Sequence, residues 1–429
     1  MFAFTLMLRL DDAADMGSEW QDWSDVGRSE AAALYKVLPG GEEYFVPPVE
    51  RVLFPAASGP KGRRWVHIPA GWTLRLPDET HAEAKLRIDL LEVVRFPLAP
   101  YVTYGIVHLS TDAQVSDEAM QHWSQALGTR YRRDRGGVEL APLYVFEGGS
   151  GEVTFDGKDP LRGLADELFD CADSMAGRRA YVCTFARVSP PCAADLRVWS
   201  RAFARGRSLE ESREALERSA TRDDARTEEI GAVTVTVFAL GAAFLHERDE
   251  YGDWLENLRS YWSEALLLGL AQHAYVEEYA DGLARLGDNP LSEGVSEMHL
   301  SWLAYRNVIG SHYLAATTDV PRKLLLSLGR ELETASLYTE VQSSFENYVE
   351  EKRRRAEERN AAAFRNLQVV GAGAVAVGMV AAILQVVAFR YVTTHQWFMV
   401  AFLVVIGLVT GALVYCVLAE GPEQGQHSA

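Results

Sequence analysis

The sequence predicts an α/β or α+β domain in the cytoplasm, then a long-helix stalk, then a C-terminal hairpin of two transmembrane helices. Three observations support this organisation. Short strand-like segments alternate with amphipathic helical segments over residues 1–250. Leucine-rich helical patterns dominate residues 251–366. Two uncharged apolar runs then occupy residues 367–389 and 397–419, and residues 420–429 form a short tail.

Apolar and alternating segments define the strands of the first region, beginning with the apolar run at its start. The predicted strands are Phe2–Arg9, Arg64–Ile68, Lys85–Val94, Tyr101–Leu109, Val138–Phe146, Arg179–Val188 and Val233–Phe238. The predicted helices are Ser18–Lys36, Ser116–Leu127, Leu161–Met175, Ala193–Arg205 and Ser208–Thr221. This alternation is typical of α/β and α+β proteins.

A strand, loop and helix with a Trp-Ser pair occur twice in this region. Val107–Ser110 precedes a helix that contains Trp123-Ser124, and Ala186–Ser189 precedes a helix that contains Trp199-Ser200. One interpretation is chance similarity. The other is that residues 1–150 and 151–250 are two related units that lie side by side.

Three helices follow the strand-rich region. They are Trp254–Leu286, Ser292–Ala316 and a third helix that Asp319 caps, with Pro321 in its first turn. Apolar residues recur at three- and four-residue steps from Leu325 to Tyr348, and neither proline nor glycine follows Glu331 before residue 366. We therefore expect one helix of about 45 residues, roughly 67 Å long, that acts as a helix-bundle or coiled-coil stalk.

The two apolar runs, Leu367–Phe389 and Trp397–Ala419, each give roughly 34 Å of helix, enough to cross a ~30 Å hydrocarbon core. Only residues 390–396 join them, which predicts an antiparallel hairpin. Basic residues cluster just before the first run, so the positive-inside rule places the N-terminal domain and the C-terminus in the cytoplasm of a multi-pass plasma-membrane protein. Of these bases, Arg359 and Arg365 are the best placed to contact lipid headgroups.

Small and polar residues form a stripe on the first apolar run. Its members are Gln368, Gly371, Ala374, Gly378, Ala381 and Gln385. The second run contains Gly407 and Gly411, a small-xxx-small pair. Two helices cannot enclose a pore, so a channel would require a homo-oligomer in which this stripe lines the pore. The alternative is ordinary packing between helices.

Composition and motif searches restrict the chemistry. The net charge of −18 argues against a nucleic-acid partner and is compatible with a cation or a small cytoplasmic ligand. Four scattered cysteines suggest no disulfide framework, and Phe2–Leu8 is too short for a signal peptide. The sequence contains no HExxH, GxSxG or phosphate-loop motif, and no histidine pair at i, i+4. We therefore expect no enzyme activity, no cofactor and no metal centre.

The layout of Glu358–Gln368 followed by the hairpin 367–419 resembles that of the CorA-type divalent-cation channels. The resemblance covers about 180 residues. It implies a cytoplasmic α/β domain, a stalk helix that continues into the first membrane helix, a pentamer, and cation transport controlled from the cytoplasm. Where that family has Gly-Met-Asn, this chain has Phe389-Arg-Tyr-Val-Thr-Thr. The alternative is a membrane-anchored sensor or effector of a bacterial defence or signalling system without transport of its own.

Overall fold

The computed structural model of the protein divides into two compact units, Met1–Ser344 and Phe345–Ala429. It describes residues 2–10, 18–23, 45, 47–53, 64–75, 85–96, 98, 102–111, 115–128, 144–148, 151–155, 160–169, 180–188, 196–219, 227–230, 233–246, 262–286, 293–310, 316–391, 402 and 405–407.

The described strands are β1 (Phe2–Leu10), β2 (Gln21–Asp22), β3 (Arg64–His67), β4 (Thr73–Arg75), β5 (Leu86–Phe96), β6 (Val102–Ser110), β7 (Tyr144–Gly148), β8 (Gly151–Phe155), β9 (Tyr181–Arg187), β10 (Thr227–Ile230), β11 (Val233–Phe238) and β12 (Gly241–His246). The described helices are α1 (Pro47–Leu53), α2 (Asp117–Gly128), α3 (Pro160–Phe169), α4 (Leu196–Arg205), α5 (Leu209–Ser219), α6 (Ser263–Leu286), α7 (Glu293–Val308), α8 (Asp319–Glu331) and α9 (Thr334–Tyr391).

The strands form one mixed sheet in the first unit. Its order over the described strands is β10-β11-β12-β9-β1-β6-β5-β4-β7-β8, and β3 pairs with both β5 and β2. Strand β12 runs parallel to β9, and the other described pairings are antiparallel. The fold class is therefore a mixed-sheet domain followed by a long, apolar helix.

Strand β1 lies in the middle of the sheet and is buried along its whole length. Because side chains alternate between the two faces of a strand, β1 contributes side chains to the packing on both faces of the sheet. Phe2 and Phe4 belong to the core that contains Trp123 of α2 and Phe203 of α4. Thr5 and Arg9 point to the opposite face, where Arg9 contacts helix α6. The sheet thus has helices on both faces, which explains why its central strands are continuous apolar runs.

The two Trp-Ser segments occupy related positions in this sheet. Strands β6 and β9 both run antiparallel to β1, one on each side of it, and each leads into a helix, α2 or α4. The two helices pack against each other, and the Ser124 hydroxyl donates a hydrogen bond of 3.0 Å to the Phe203 carbonyl. Ser200 instead donates to Thr236 on β11, at 2.6 Å. The serines of the two Trp-Ser segments therefore make different contacts.

Helices α6, α7 and α8 complete the first unit. Helix α6 packs on α8 and α7, and it also reaches β6 of the sheet. Aromatic rings of α6 and α7 pack against each other, with the ring centroids of Tyr279 and Trp302 5.2 Å apart in an edge-to-face arrangement. The Tyr305 hydroxyl also donates a hydrogen bond of 3.1 Å to the Gln272 carbonyl. The leucine-rich pattern of the sequence corresponds to this buried packing.

The predicted uninterrupted helix between Asp319 and residue 366 is wrong at one point. Helix α8 ends at Glu331 and α9 begins at Thr334, with Glu333 in the left-handed region at φ 54° between them. Asp319 is also not the cap, because Thr318 occupies that position without a side-chain cap hydrogen bond. After the break α9 continues without interruption from Thr334 into the first apolar run.

The first predicted helix, Ser18–Lys36, is wrong at its beginning, where the structure has a short strand. Gln21 and Asp22 form strand β2, which pairs with Val66 and Trp65 of β3. Residues 24–36 lie outside the described part of the chain. Most of the second predicted transmembrane helix, Trp397–Ala419, the short tail 420–429 and Gly411 also lie outside it. Of that run, Phe402 and residues 405–407 are helical.

Candidate functional site

A network of buried charged side chains lies on the face of the sheet that carries Thr5 and Arg9. We define the buried network as Thr5 of β1, Arg64 of β3, Glu92 of β5, His108 of β6 and Glu264 of α6. Four strands and one helix therefore contribute to it, although its members are up to 259 residues apart in the sequence. Charged side chains are almost never fully buried unless they are paired, so such a cluster identifies a position with a special role.

Arg64 is the centre of the buried network. Its guanidinium is fully inaccessible, and Nη2 donates hydrogen bonds to Glu92 Oε2 and, at 2.6 Å, to Glu264 Oε1. Nη1 donates to the Leu53 carbonyl at 2.6 Å, which fixes the C-terminal end of α1. The Trp23 ring covers the guanidinium at 4.6 Å, a cation–π contact. One cation thus holds two carboxylates, a strand and two helices together.

His108 extends the buried network from Glu92 to β1. Its Nε2 lies 3.5 Å from Glu92 Oε1, and its Nδ1 lies 3.1 Å from the Thr5 hydroxyl. The neutral tautomer with its hydrogen on Nε2 satisfies both neighbours, because Thr5 then donates to Nδ1. Glu92 is therefore contacted from two sides, by Arg64 and by His108.

Of the two carboxylates in the buried network, Glu264 has fewer contacts than Glu92. Among the described residues, its Oε2 is buried without a hydrogen-bond partner, while Oε1 accepts from Arg64. Burial raises the pKa of Glu264 from 4.5 to about 7, and the nearby Arg64 opposes that rise. A carboxyl group at the start of α6 can therefore change its charge near neutral pH.

A second polar contact between the sheet and α6 lies further along the helix. Arg9 of β1 donates to Glu278, and to Glu277 at 3.3 Å. Glu277 Oε1 is in turn 3.2 Å from His273 Nε2, and His273 Nδ1 is 3.2 Å from the Thr334 hydroxyl. Thr334 is buried and is the first residue of α9. The contacts therefore lead from the central strand, through α6, to the beginning of the apolar helix.

The site residues predicted from the sequence lie on α9, in the second unit. Helix α9 is the one helix in the described part of the chain that is long and apolar enough to cross a membrane, and its apolar portion is not buried. Gln368, Gly371, Ala374, Gly378 and Gln385 are exposed there and Ala381 is half-buried. Five of the six predicted stripe residues, from Gly371 to Gln385, fall within about 80° on a helical projection, with Gln368 about 60° beyond them. Among the described residues, no atom lies within 4 Å of a Cβ added at Gly371, Gly378 or Gly407.

The predicted lipid-facing bases differ from their neighbours on the same helix. Arg353, Arg354 and Arg355 form ion pairs with Glu357, Glu358 and Glu351 one turn away. Hydrogen bonds from Arg355 and Arg354 hold the pKa of Glu351 below its ordinary value. Arg359 and Arg365 are exposed and have no ion pair with any residue that the structure describes.

The buried network was not predicted from the sequence, although two positions in the sequence point to it. Glu92 interrupts the apolar run from Leu90 to Val94, and His108 interrupts that from Ile106 to Leu109. A charged residue at an inward position of a buried strand is such a signal. Glu264, the partner of Arg64, cannot be identified in the sequence, because that contact joins residues 200 positions apart. Nothing matches the chain among known protein families, curated proteins or solved structures.

Proposed function

We propose that the chain is an oligomeric membrane protein of CorA-like layout, a cation channel whose cytoplasmic sheet domain controls its membrane helices. The observation that carries the proposal is helix α9, which begins at the buried Thr334 and exposes apolar side chains from Leu367 to Ile383. Soluble proteins rarely expose an apolar surface of that size, whereas a bilayer covers it.

The orientation proposed for the chain follows from the bases before the apolar run. Arg359 and Arg365 are available to lipid phosphates, and Arg365 lies two residues before Leu367. The proposal includes a second membrane helix at Trp397–Ala419 and a cytoplasmic C-terminus, which together make the protein multi-pass. It also includes a homo-oligomer, a pentamer if the CorA-like layout extends to assembly.

Membrane insertion is tested by alkaline extraction of membranes from cells that produce the full chain. Val380, in the middle of the apolar run, is exposed, and so is Phe364, just before the run. We expect Val380→Arg to weaken insertion by ~2.5–3.5 kcal/mol, the cost of a base at a helix centre. Phe364→Arg is the matched control and should remain in the membrane fraction. Extraction of the unmodified chain by alkali would refute the membrane part of the proposal.

Conduction is tested by cation flux into liposomes that contain the purified protein. Gly378 lies in the stripe and Ala376 lies on the opposite face of the same helix. If the stripe lines a pore, Gly378→Trp should reduce flux strongly, while Ala376→Trp should leave it close to that of the unmodified protein. Equal effects of both substitutions, or a strictly monomeric mass in detergent, would contradict a pore lined by this stripe.

A sensor or effector without transport is the second candidate, and one observation favours it. Residues 367–396 contain neither aspartate nor glutamate, and Phe389-Arg-Tyr-Val-Thr-Thr replaces the Gly-Met-Asn of the cation channels. Cation pores use rings of acidic side chains or carbonyls, so this segment lacks one of the usual means of attracting cations. Absence of flux from inserted, oligomeric protein between pH 6 and 8 would favour this candidate over the channel.

A further inference from the structure

The buried network contains more carboxylates than cations. With His108 neutral, the network contains one cation, Arg64, and two carboxylates, Glu92 and Glu264. If both carboxylates are ionised, the network has a net charge of −1 in a place without solvent. A net negative charge on these five side chains is costly in such a place, and binding one proton removes it.

The geometry identifies where that proton goes. Glu92 accepts from Arg64 and adjoins His108, so its carboxylate has two stabilising neighbours. Glu264 Oε1 accepts from Arg64, and its buried Oε2 has no partner among the residues that the structure describes. A proton on Glu264 Oε2 leaves every contact of the buried network in place.

The groups that surround Glu264 come from several elements. Arg64 of β3 and Glu92 of β5 are the ionisable groups that face it, and His108 of β6 lies behind Glu92. Close by, Trp262, which precedes α6, packs on Phe244 of β12, and Gly269 of α6 lies against Leu328 of α8. Glu264 is therefore the group whose ionisation changes the charge between the sheet and the start of α6.

We propose that Glu264 is a proton-binding site through which cytoplasmic pH controls how firmly α6 is held on the sheet. In the protonated form α6 is held firmly on the sheet, because the network is then neutral. The ionised form places two carboxylates on one guanidinium and loosens the start of α6. The effect reaches α9 within the first unit, because α6 also contacts Thr334 through His273. The inference rests on the proposed function only for the cytoplasmic location and for the consequence in the membrane.

Infrared difference spectroscopy of the full chain in detergent tests the proton site directly. Unmodified protein should show the carbonyl stretch of a buried protonated carboxyl group that disappears with a midpoint near pH 7. Glu264→Gln should abolish this band, while Glu297→Gln, a change at an exposed position on α7, should leave it unchanged. His108→Gln should shift the midpoint without abolishing the band, because His108 does not contact Glu264.

Amide hydrogen exchange of residues 262–286, corrected for the intrinsic effect of pH, tests the consequence. If opening of α6 exposes Glu264 to water, the opening equilibrium should rise about tenfold between pH 6 and pH 8, since the pKa of Glu264 changes from about 7 to 4.5 on opening. In Glu264→Gln the rise should be absent.

The outcomes separate this inference from the proposed function. A band in unmodified protein that does not titrate between pH 5.5 and 8.5 would overturn the inference, even if Glu264→Gln fails to fold. Pronounced pH dependence of exchange in folded Glu264→Gln would overturn it too. Failure of membrane insertion, measured by alkaline extraction of the same preparations, would refute the proposed function and leave the proton site standing.

Discussion

Replacing Arg64 by methionine should destabilise the first unit more than almost any other single substitution. The Arg64 and Glu92 side chains are fully buried, and that of Glu264 is 3% exposed. Loss of the cation leaves the buried Glu92 without a counter-charge and Glu264 without its donor, and breaking a buried ion pair from one side costs ~3–5 kcal/mol. The Leu53 carbonyl loses its donor as well. A total cost of about 5 kcal/mol is comparable with the whole stability of many domains.

Thermal unfolding of the full chain in detergent, followed by circular dichroism, measures this effect. We expect the midpoint to fall by roughly 10 °C or more. Arg87→Met is the matched control on β5, because Arg87 is half exposed and its ion pair with Asp89 is worth at most ~1 kcal/mol. The triple variant Arg64→Met, Glu92→Gln, Glu264→Gln should recover much of the loss, since it buries no charge. Equal midpoints for Arg64→Met and Arg87→Met would refute the reasoning.

Three further predictions concern helix contacts and backbone strain in the first unit. Gly269→Val should destabilise α6 against α8 by ~1–3 kcal/mol, because an added Cβ comes within 2.9 Å of the buried Leu328 side chain; thermal unfolding measures it. Gly329→Ala has nothing within 4 Å of the new Cβ and should stabilise α8 by up to ~1 kcal/mol in the same assay. Glu333→Gly should raise stability in urea by up to ~1 kcal/mol, whereas Glu333→Val should lower it, because a positive φ strains branched side chains.

The central strands could be predicted from the sequence because they are buried on both faces. The predicted and observed strands agree at Val233–Phe238 and differ by at most two residues at either end of β1, β5, β6 and β9. Such strands are continuous apolar or alternating runs, and a local pattern is enough to identify them. Strands β2 and β4 are two and three residues long, too short for any periodicity to appear.

The break at Glu333 and the buried network could not be predicted in the same way. Gly329 lies in the last turn of α8, but residues 330–334 contain neither glycine nor proline, and the apolar period of the sequence continues across the break. Tertiary packing determines where the helix breaks. Leu328 and Thr334 are both buried, and Glu333, with its positive φ, changes the direction of the chain between them. Likewise, the pairing of Arg64 with Glu264 depends on tertiary structure alone.

The central position of β1 affects how the protein folds during synthesis. Strand β1 pairs with β6 and β9, which follow it by roughly 100 and 180 residues. At ~5–20 residues per second, the ribosome needs about 10–35 s after β1 to complete β9. Both edges of the apolar segment Phe2–Leu10 are unpaired until β6 is synthesised, and one edge stays unpaired until β9 is complete. An apolar strand with an unpaired edge is prone to pair with another nascent chain. We therefore expect the yield of folded protein to depend on chaperones that bind emerging apolar segments, and to fall when β9 is synthesised more slowly.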